Sequence, residues 1–409
     1  MTMYLPERIL IAPSGFKESL TAVEVAEAIS CGIRRVLPTV RIDSFPVADG
    51  GEGSIDILAT RPGTKVHKIN VQGPVGAEVS AQWLEFVDHG IAVVEMAQSA
   101  GLSLVPRDMR DPGATCTYGV GQVIADVLNN GIRSIVVGCG DSGTSDGGAG
   151  ALRALGLRIL NSEGNEIARG GSALVAAAEL DVTNIHPALA ESEIVLACNM
   201  HNVLTGPQGV ARVFGPQKGA SPEQVEVLDC ALETWASLLE HTFNPSSDLR
   251  GAGSGASGGL GAGLMAVGAT AKNRFEVLLE DLPAGTNAGL SDLIRQADLI
   301  ITAEGAIDFQ TPKGKVPAEI ARRAQLIGVP VLGLAGTLGK GAPKVHEVGV
   351  AAIESIMTSP MALEDAVENG KDLLIDAAER SMRMLQLGSV LAARSEDRQF
   401  DRYKSRSVA

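Results

Sequence analysis

ILIAPSGFKESLTAVEVAEAISCGIRRVLPTVRIDSFPVADGGEG, residues 9–53, is the stretch whose reading decides the fold. Its apolar run Ile9–Ala12 reads as a strand, broken by the turn Pro13-Ser14-Gly15. A helix begins near Thr21, because the hydroxyl of Thr21 and the carboxylate of Glu24 can cap each other's backbone amides. Ala26, Ile29, Ile33 and Leu37 recur at helical spacing, and Pro38 stops the helix. A second strand, near Ile42–Val47, runs into the loop Ala48-Asp49-Gly50-Gly51-Glu52-Gly53. Such alternation of strand, loop and helix belongs to a parallel sheet covered by helices, so the class is α/β.

Beyond this stretch the pattern changes. From Lys65 to Met96, alternating runs broken by Gly73-Pro74 and His89-Gly90 predict antiparallel hairpins and a change of domain. A helix over Tyr118–Asn130 then feeds a strand over Ser134–Val137. Residues 251–263 hold seven glycines and precede a helix-like apolar stretch, Leu264–Ala271. Strand-helix-strand order returns with Leu299–Thr302, Pro317–Gln325 and Val329–Ala335. The simplest architecture is a discontinuous domain from 1–66 and 290–385, an inserted α/β domain over 67–289, and a polar tail, 386–409, loosely ordered from Arg394.

Composition narrows the function. With 409 residues, 45% apolar and 20% charged, the chain can bury a real core. A net charge of −14 and only 3% aromatics argue against a nucleic-acid partner, which wants basic surfaces and stacking platforms. No stretch of 18 apolar residues predicts a membrane span. Five scattered cysteines without a C-x-x-C pair suit reduced thiols and a cytoplasmic location. A homodimer is left open. So acidic a chain can hold an anionic nucleotide only through local lysines, a metal ion or backbone amides.

Four segments offer such groups. Gly138–Gly150 (GCGDSGTSDGGAG) links a strand to a helix, where free amides and a helix dipole favour an anion; a solvated connection is the plainer alternative. Gly253–Gly258 matches G-x-G-x-x-G, but no strand precedes it, so dinucleotide binding is rejected and tight helix packing stays open. Glu304–Lys315 (EGAIDFQTPKGK) follows a strand, where Glu304 and Asp308 offer metal ligands and Lys313 or Lys315 a phosphate contact; a charged surface loop is the alternative. Lys17, Asp49 and Glu52 follow the first two strands and supply an anion ligand, metal ligands or a base. No Walker A motif occurs. Neither a zinc motif nor a serine-hydrolase elbow is present.

These segments together resemble the type I glycerate kinase family. The likeness is carried by Ile11-Ala12-Pro13 with Phe16-Lys17, Ala48–Gly53, Asp146–Gly150, Leu204–Pro207, Phe214–Ala220, Gly258–Gly263, and Glu304-Gly305 with Asp308, Gln310, Thr311, Gly314 and Lys315. It runs in order from about residue 8 to about residue 385. The resemblance implies phosphoryl transfer from ATP, with Mg²⁺, to glycerate, commonly at the 2-hydroxyl to give 2-phosphoglycerate. It also implies a Rossmann-like or endonuclease-like domain beside a flavodoxin-like one, with the site in the cleft. On this reading Lys17, Asp49 and Asp308 are the catalytic candidates and Glu52 and Glu304 the metal ligands. Ser142, Thr144, Asp146, Gly147, Gly148, Gly258, Gly259 and Lys315 face the nucleotide.

The chain departs from the family pattern in four places. Ser14-Gly15 stands for Asp-Ser, Cys198–Leu204 (CNMHNVL) for Cys-Asp-x-Asp-Asn-Pro-Leu, and Ala306 for the arginine of Gly-Glu-Gly-Arg-x-Asp. The glycine loop carries Asp141, Gly143 and Ser145 where Gly, Ala and Asn are usual. Three carboxylates and a bidentate guanidinium are thereby lost, which is not a mild change near an anionic ligand. Two alternatives follow: a kinase for a related hydroxy acid or aldonate, and a catalytically inactive homologue that senses a nucleotide or metabolite.

Overall fold

The computed structural model describes residues 5–16, 19–283 and 289–407, with side chains up to residue 395. The chain divides into two compact units, Met1–Val47 with Ala288–Ala409, and Ala48–Asn287.

The unit made from the chain ends is built on a five-stranded sheet in the order Ala352–Ser355, Val331–Leu338, Leu299–Ile307, Arg8–Ile11, Arg41–Ser44, parallel throughout. Counted along the chain, these strands lie in the order 2-1-3-4-5, so the flavodoxin-like order falls in this unit. Helix Ala22–Arg34 starts as its sequence requires: Glu24 N donates to Thr21 Oγ1 at 3.2 Å and Thr21 N to Glu24 Oε2 at 2.9 Å. Val25, Ile29 and Ile33 bury its apolar stripe with Ile9, Ile11 and Ile301. Gly32 lets the C-terminal helix come close, since a Cβ there would lie 2.2 Å from Ile375 O.

Two expectations are corrected in this unit. Strand Leu299–Ile307 runs on through Glu304 and Ala306, so these residues belong to the strand and not to the loop after it. Helix Gly370–Ser407 continues through most of the segment expected as a loose tail. The reason is compositional: from 389 to 407 the chain has no glycine or proline and carries four arginines and two alanines, which favour helix.

The second unit carries a mixed six-stranded sheet in the order Thr270–Asn273, Glu193–Cys198, Ser134–Gly138, Ile91–Glu95, Glu78–Phe86, Thr64–Gln72. The first four strands are parallel, and the last two join antiparallel, as the hairpin pattern predicts. Trp83 and Trp235 are fully buried in its core. Helix Ser54–Leu58 packs Ile55 and Leu58 with Leu84, Phe86 and Val93, so residues 48–66 fall with this unit. The helix expected at 264–271 lies instead within Ala256–Ala266, after a kink where Ser257, Gly258 and Gly259 have positive φ, and Thr270–Asn273 is the edge strand. Glycine's poor helix propensity hid it. Among the described residues no helix is long and apolar enough to cross a membrane.

Candidate active site

In the second unit the parallel strands end at Glu95, Gly138, Cys198 and Asn273. The loop Asp49–Gly53 crosses these ends at backbone contact. A Cβ on Gly140 would stand 2.5 Å from Gly51 Cα, and one on Gly138 3.0 Å from Gly50 O, so this crossing needs glycine. Asp141 Oδ2 accepts the Glu52 amide at 3.0 Å. Glu95 accepts the amides of Gly53 at 3.1 Å and Ile55 at 2.9 Å. It is 2% exposed, and burial pushes its carboxyl up to about 8, against the pull of those two amides. Arg274 follows the edge strand; its Nη1 donates to Asp49 O at 3.1 Å and lies 3.3 Å from Asp49 Oδ2. Asp49 Oδ1 accepts the Gly51 amide at 3.0 Å, so this carboxylate is held in a set direction.

The glycine loop 138–150 is organised differently from the expectation. Asp146 is fully buried and accepts from Thr117 N at 2.8 Å, Thr117 Oγ1 at 2.9 Å, Gly148 N at 3.1 Å and Gly150 N at 3.0 Å. Burial raises its pKa while these bonds oppose the rise. Asp146 thus anchors the loop from within and offers no face to a nucleotide. Thr144, Gly147 and Gly148 are buried as well, and Gly258 and Gly259 lie behind them. A Cβ on Gly258 would stand 2.0 Å from Thr144 O, and one on Gly259 2.8 Å from Gly147 Cα. Trp235 Nε1 donates to Gly147 O at 2.8 Å. Glycines that suit phosphate binding also suit backbone-on-backbone packing, so sequence alone could not separate the two uses. Ser142 stays partly exposed, and its Oγ accepts from Lys218 Nζ at 2.8 Å. Lys218 Nζ also donates to Thr144 O at 2.6 Å.

In the first unit Lys17 lies outside the described residues. Ser14 donates to Ala303 O through its amide at 2.9 Å and its hydroxyl at 3.0 Å. Lys315 Nζ stands 3.0 Å from Glu304 Oε1, 3.3 Å from Ala306 O and 3.8 Å from Asp308 Oδ1. Asp308 accepts the Gln310 amide at 2.8 Å and donates its own amide to Thr311 Oγ1 at 3.0 Å. Glu304, Asp308 and Lys315 therefore meet at the carboxyl end of Leu299–Ile307. This is beside the reversal of strand order, where sheets of this kind bind ligands.

Among the described residues no group of three or more His, Cys, Asp or Glu stands ready to hold a metal. Glu52 is exposed, whereas Glu304 already shares its carboxylate with Lys315. One or two carboxylates completed by phosphate oxygens is the usual way Mg²⁺ is held in phosphoryl transfer, and Glu304 with Asp308 at one strand end fits that pattern.

Three residues of these sites escaped sequence reasoning. Glu95 ends an otherwise apolar strand, and that was its signal. Lys218 lay inside the quoted motif Phe214–Ala220, although nothing there announced its burial. Arg274 carried no signal. The departing residues keep local roles: Asn199 Oδ1 accepts the His201 amide at 3.0 Å, and the His201 side chain is exposed.

A family model described as the glycerate kinase family matches residues 9–386. Glycerate kinase of Halalkalibacterium halodurans is 41% identical over 372 residues, 90% of this chain and 96% of the relative. Glycerate 2-kinase of Escherichia coli is 39% identical over 384 residues, 93% and 98% of the two chains. A crystal structure from Salmonella typhimurium LT2, described provisionally as a glycerate kinase 2, matches with TM-score 0.71 and 38% identity. It covers 94% of this chain and 99% of its own.

Proposed function

The chain belongs to the glycerate kinase family, and is an enzyme of the phosphotransferase class with an alcohol group as acceptor; on that premise we propose that it transfers the γ-phosphoryl of ATP to glycerate, at the 2-hydroxyl. The observation that carries this reading is the identity of about two residues in five with named glycerate kinases over nine-tenths of the chain. The unpaired cysteines among the described residues support the cytoplasm as its location.

Phosphoryl transfer asks a protein for positioning and charge neutralisation more than for covalent help. In this reading the phosphate-facing groups are, in one unit, the exposed rim of the loop around Ser142 and, in the other, the Lys315 ammonium. Lys17 neutralises charge on the acceptor. Asp49, directed by Arg274 and the Gly51 amide, and Asp308, held by Gln310, are the carboxylates able to take the hydroxyl proton. Glu304 and Asp308 in one unit, or Glu52 in the other, are the residues that would hold Mg²⁺, which when bound neutralises charge on the phosphate oxygens. Asp146, Gly147, Gly148, Gly258 and Gly259 act behind the loop by holding its shape.

A second reading, transfer to a related hydroxy acid, is favoured by Ala306, which stands uncharged where the family pattern has arginine, and by His201, which stands where that pattern has aspartate. The test is ADP release with MgATP over a panel of small hydroxy acids, with phosphorus NMR of the product. Glycerate turnover yielding the 2-phosphate is expected. A higher specificity constant for a four-carbon acid would move the acceptor, and no turnover with any acid would remove the kinase reading.

A further inference from the structure

We propose that Lys218 is a positioning residue of the nucleotide site: its buried ammonium fastens the Ser142–Thr144 loop from below and gives it positive charge for holding phosphate. The inference rests on the kinase reading above and assigns a role to a residue that reading did not use.

The geometry is that of a deliberate anchor. Lys218 closes the turn Pro216–Lys218 and is 2% exposed. The turn is pinned at its next residue, Gly219, where a Cβ would lie 2.2 Å from Arg110 O. The Nζ atom makes two bonds, to Thr144 O and Ser142 Oγ, and so ties both ends of the three-residue segment. Among the described residues no carboxylate lies within ion-pair distance of it. Lysine is almost never fully buried unless paired, because its charge must leave water. A methionine would fill the same volume without that cost. Retaining an ammonium here is understandable if the loop above it must hold an anion.

Two further observations agree. Thr144 Oγ1 and Ser145 Oγ, on the same loop, are buried without a hydrogen-bond partner among the described residues. The loop therefore keeps unmet polar capacity beside the ammonium. In a chain of net charge −14, a cation under low-dielectric cover acts strongly over short range. Burial brings the Lys218 ammonium down to about 7, and Asp146 is the charged group that opposes this. Its charge thus changes within the range where the protein can be assayed. It is present below that value and lost above it.

The experiment measures ATP and adenosine affinity by calorimetry, together with kcat and KM, for wild type, Lys218→Met and Lys218→Arg, from about pH 6 to about pH 8.5. Lys218→Met is expected to bind ATP at least about tenfold more weakly at the acid end, with adenosine unchanged. Wild-type ATP affinity should fall with rising pH by more than either variant's, since titration of ATP itself is common to all three. Lys218→Arg, charged throughout, should keep ATP affinity and lose the extra pH dependence. A folded Lys218→Met with wild-type ATP affinity overturns the proposal. If that variant fails to fold, a wild-type pH profile no steeper than that of Lys218→Arg overturns it equally. Absence of ATP binding by the wild type would sink the kinase reading itself, whereas normal wild-type turnover with an indifferent Lys218 would sink this inference alone.

Discussion

Arg274 Nη1 lies 3.3 Å from Asp49 Oδ2 and donates to Asp49 O at 3.1 Å, across 225 positions of sequence. Both side chains are largely withdrawn from solvent, Arg274 to 12% exposure and Asp49 to 31%. One guanidinium therefore grips both the backbone and the carboxylate of the loop that crosses the strand ends. Charge-assisted contacts of this kind fix direction as well as adding energy. Arg274→Met is expected to lower kcat on the order of tenfold to a hundredfold, about 1.4–2.7 kcal/mol of barrier. Arg274→Lys should recover only part, because an ammonium cannot reproduce the fork. ADP-release kinetics beside a thermal melt would decide it; unchanged kcat in a folded Arg274→Met removes Asp49 from the reaction.

Glu95 predicts a pH dependence of stability. Its folded pKa, about 8, exceeds its ordinary value of 4.5, so the folded protein binds the proton more tightly than the unfolded chain does. The contribution is present in full below the ordinary value and is lost as pH climbs to about 8, with a slope of at most about 1.4 kcal/mol per pH unit. Glu95→Gln cannot titrate. Urea midpoints of the two proteins between pH 5 and about pH 8 should shift steadily in favour of the variant as pH rises. A constant difference across that range would contradict the assignment.

Gly258 and Gly268 separate backbone strain from close packing. Both have positive φ, 72° and 103°, but a Cβ on Gly258 meets Thr144 O at 2.0 Å whereas one on Gly268 meets nothing within 4 Å. Alanine at Gly258 should cost about 1–3 kcal/mol more than alanine at Gly268 in equilibrium denaturation. Equal costs would mean that the two glycine loops do not press on each other.

Lys315 and Glu304, 3.0 Å apart and both mostly buried, should be energetically coupled. Lys315→Met removes the ammonium that Glu304 faces, while Glu304→Gln removes the nearer of the two carboxylates beside Lys315 and leaves Asp308 at 3.8 Å. The double variant is expected to be less destabilised than the sum of the singles by about 0.5–3 kcal/mol. Strict additivity would show that Lys315 and Glu304 do not act as a pair.

What was legible in the sequence shares one physical character: it is local or periodic. The capping box of Thr21 and Glu24, the stripe Ala26, Ile29, Ile33 and the alternating hairpin strands all follow from spacing alone. The Glu304, Asp308 and Lys315 cluster was legible because those residues lie within twelve positions at the end of one strand and just after it. The role of Asp146 was not. An acid among glycines reads the same whether it faces a ligand or caps four donors from within, and only the positions of Thr117, Gly148 and Gly150 distinguish them.

The order of letters along this chain determined an α/β protein with glycine-rich strand ends, since hydrophobic period and turn chemistry are properties of neighbours. The tertiary structure alone decided that Lys218 is buried, that Arg274 grips Asp49 and that Glu95 holds the Gly53 amide. Desolvation and charge pairing depend on which distant groups the fold brings within a few ångströms, and no local pattern encodes that distance.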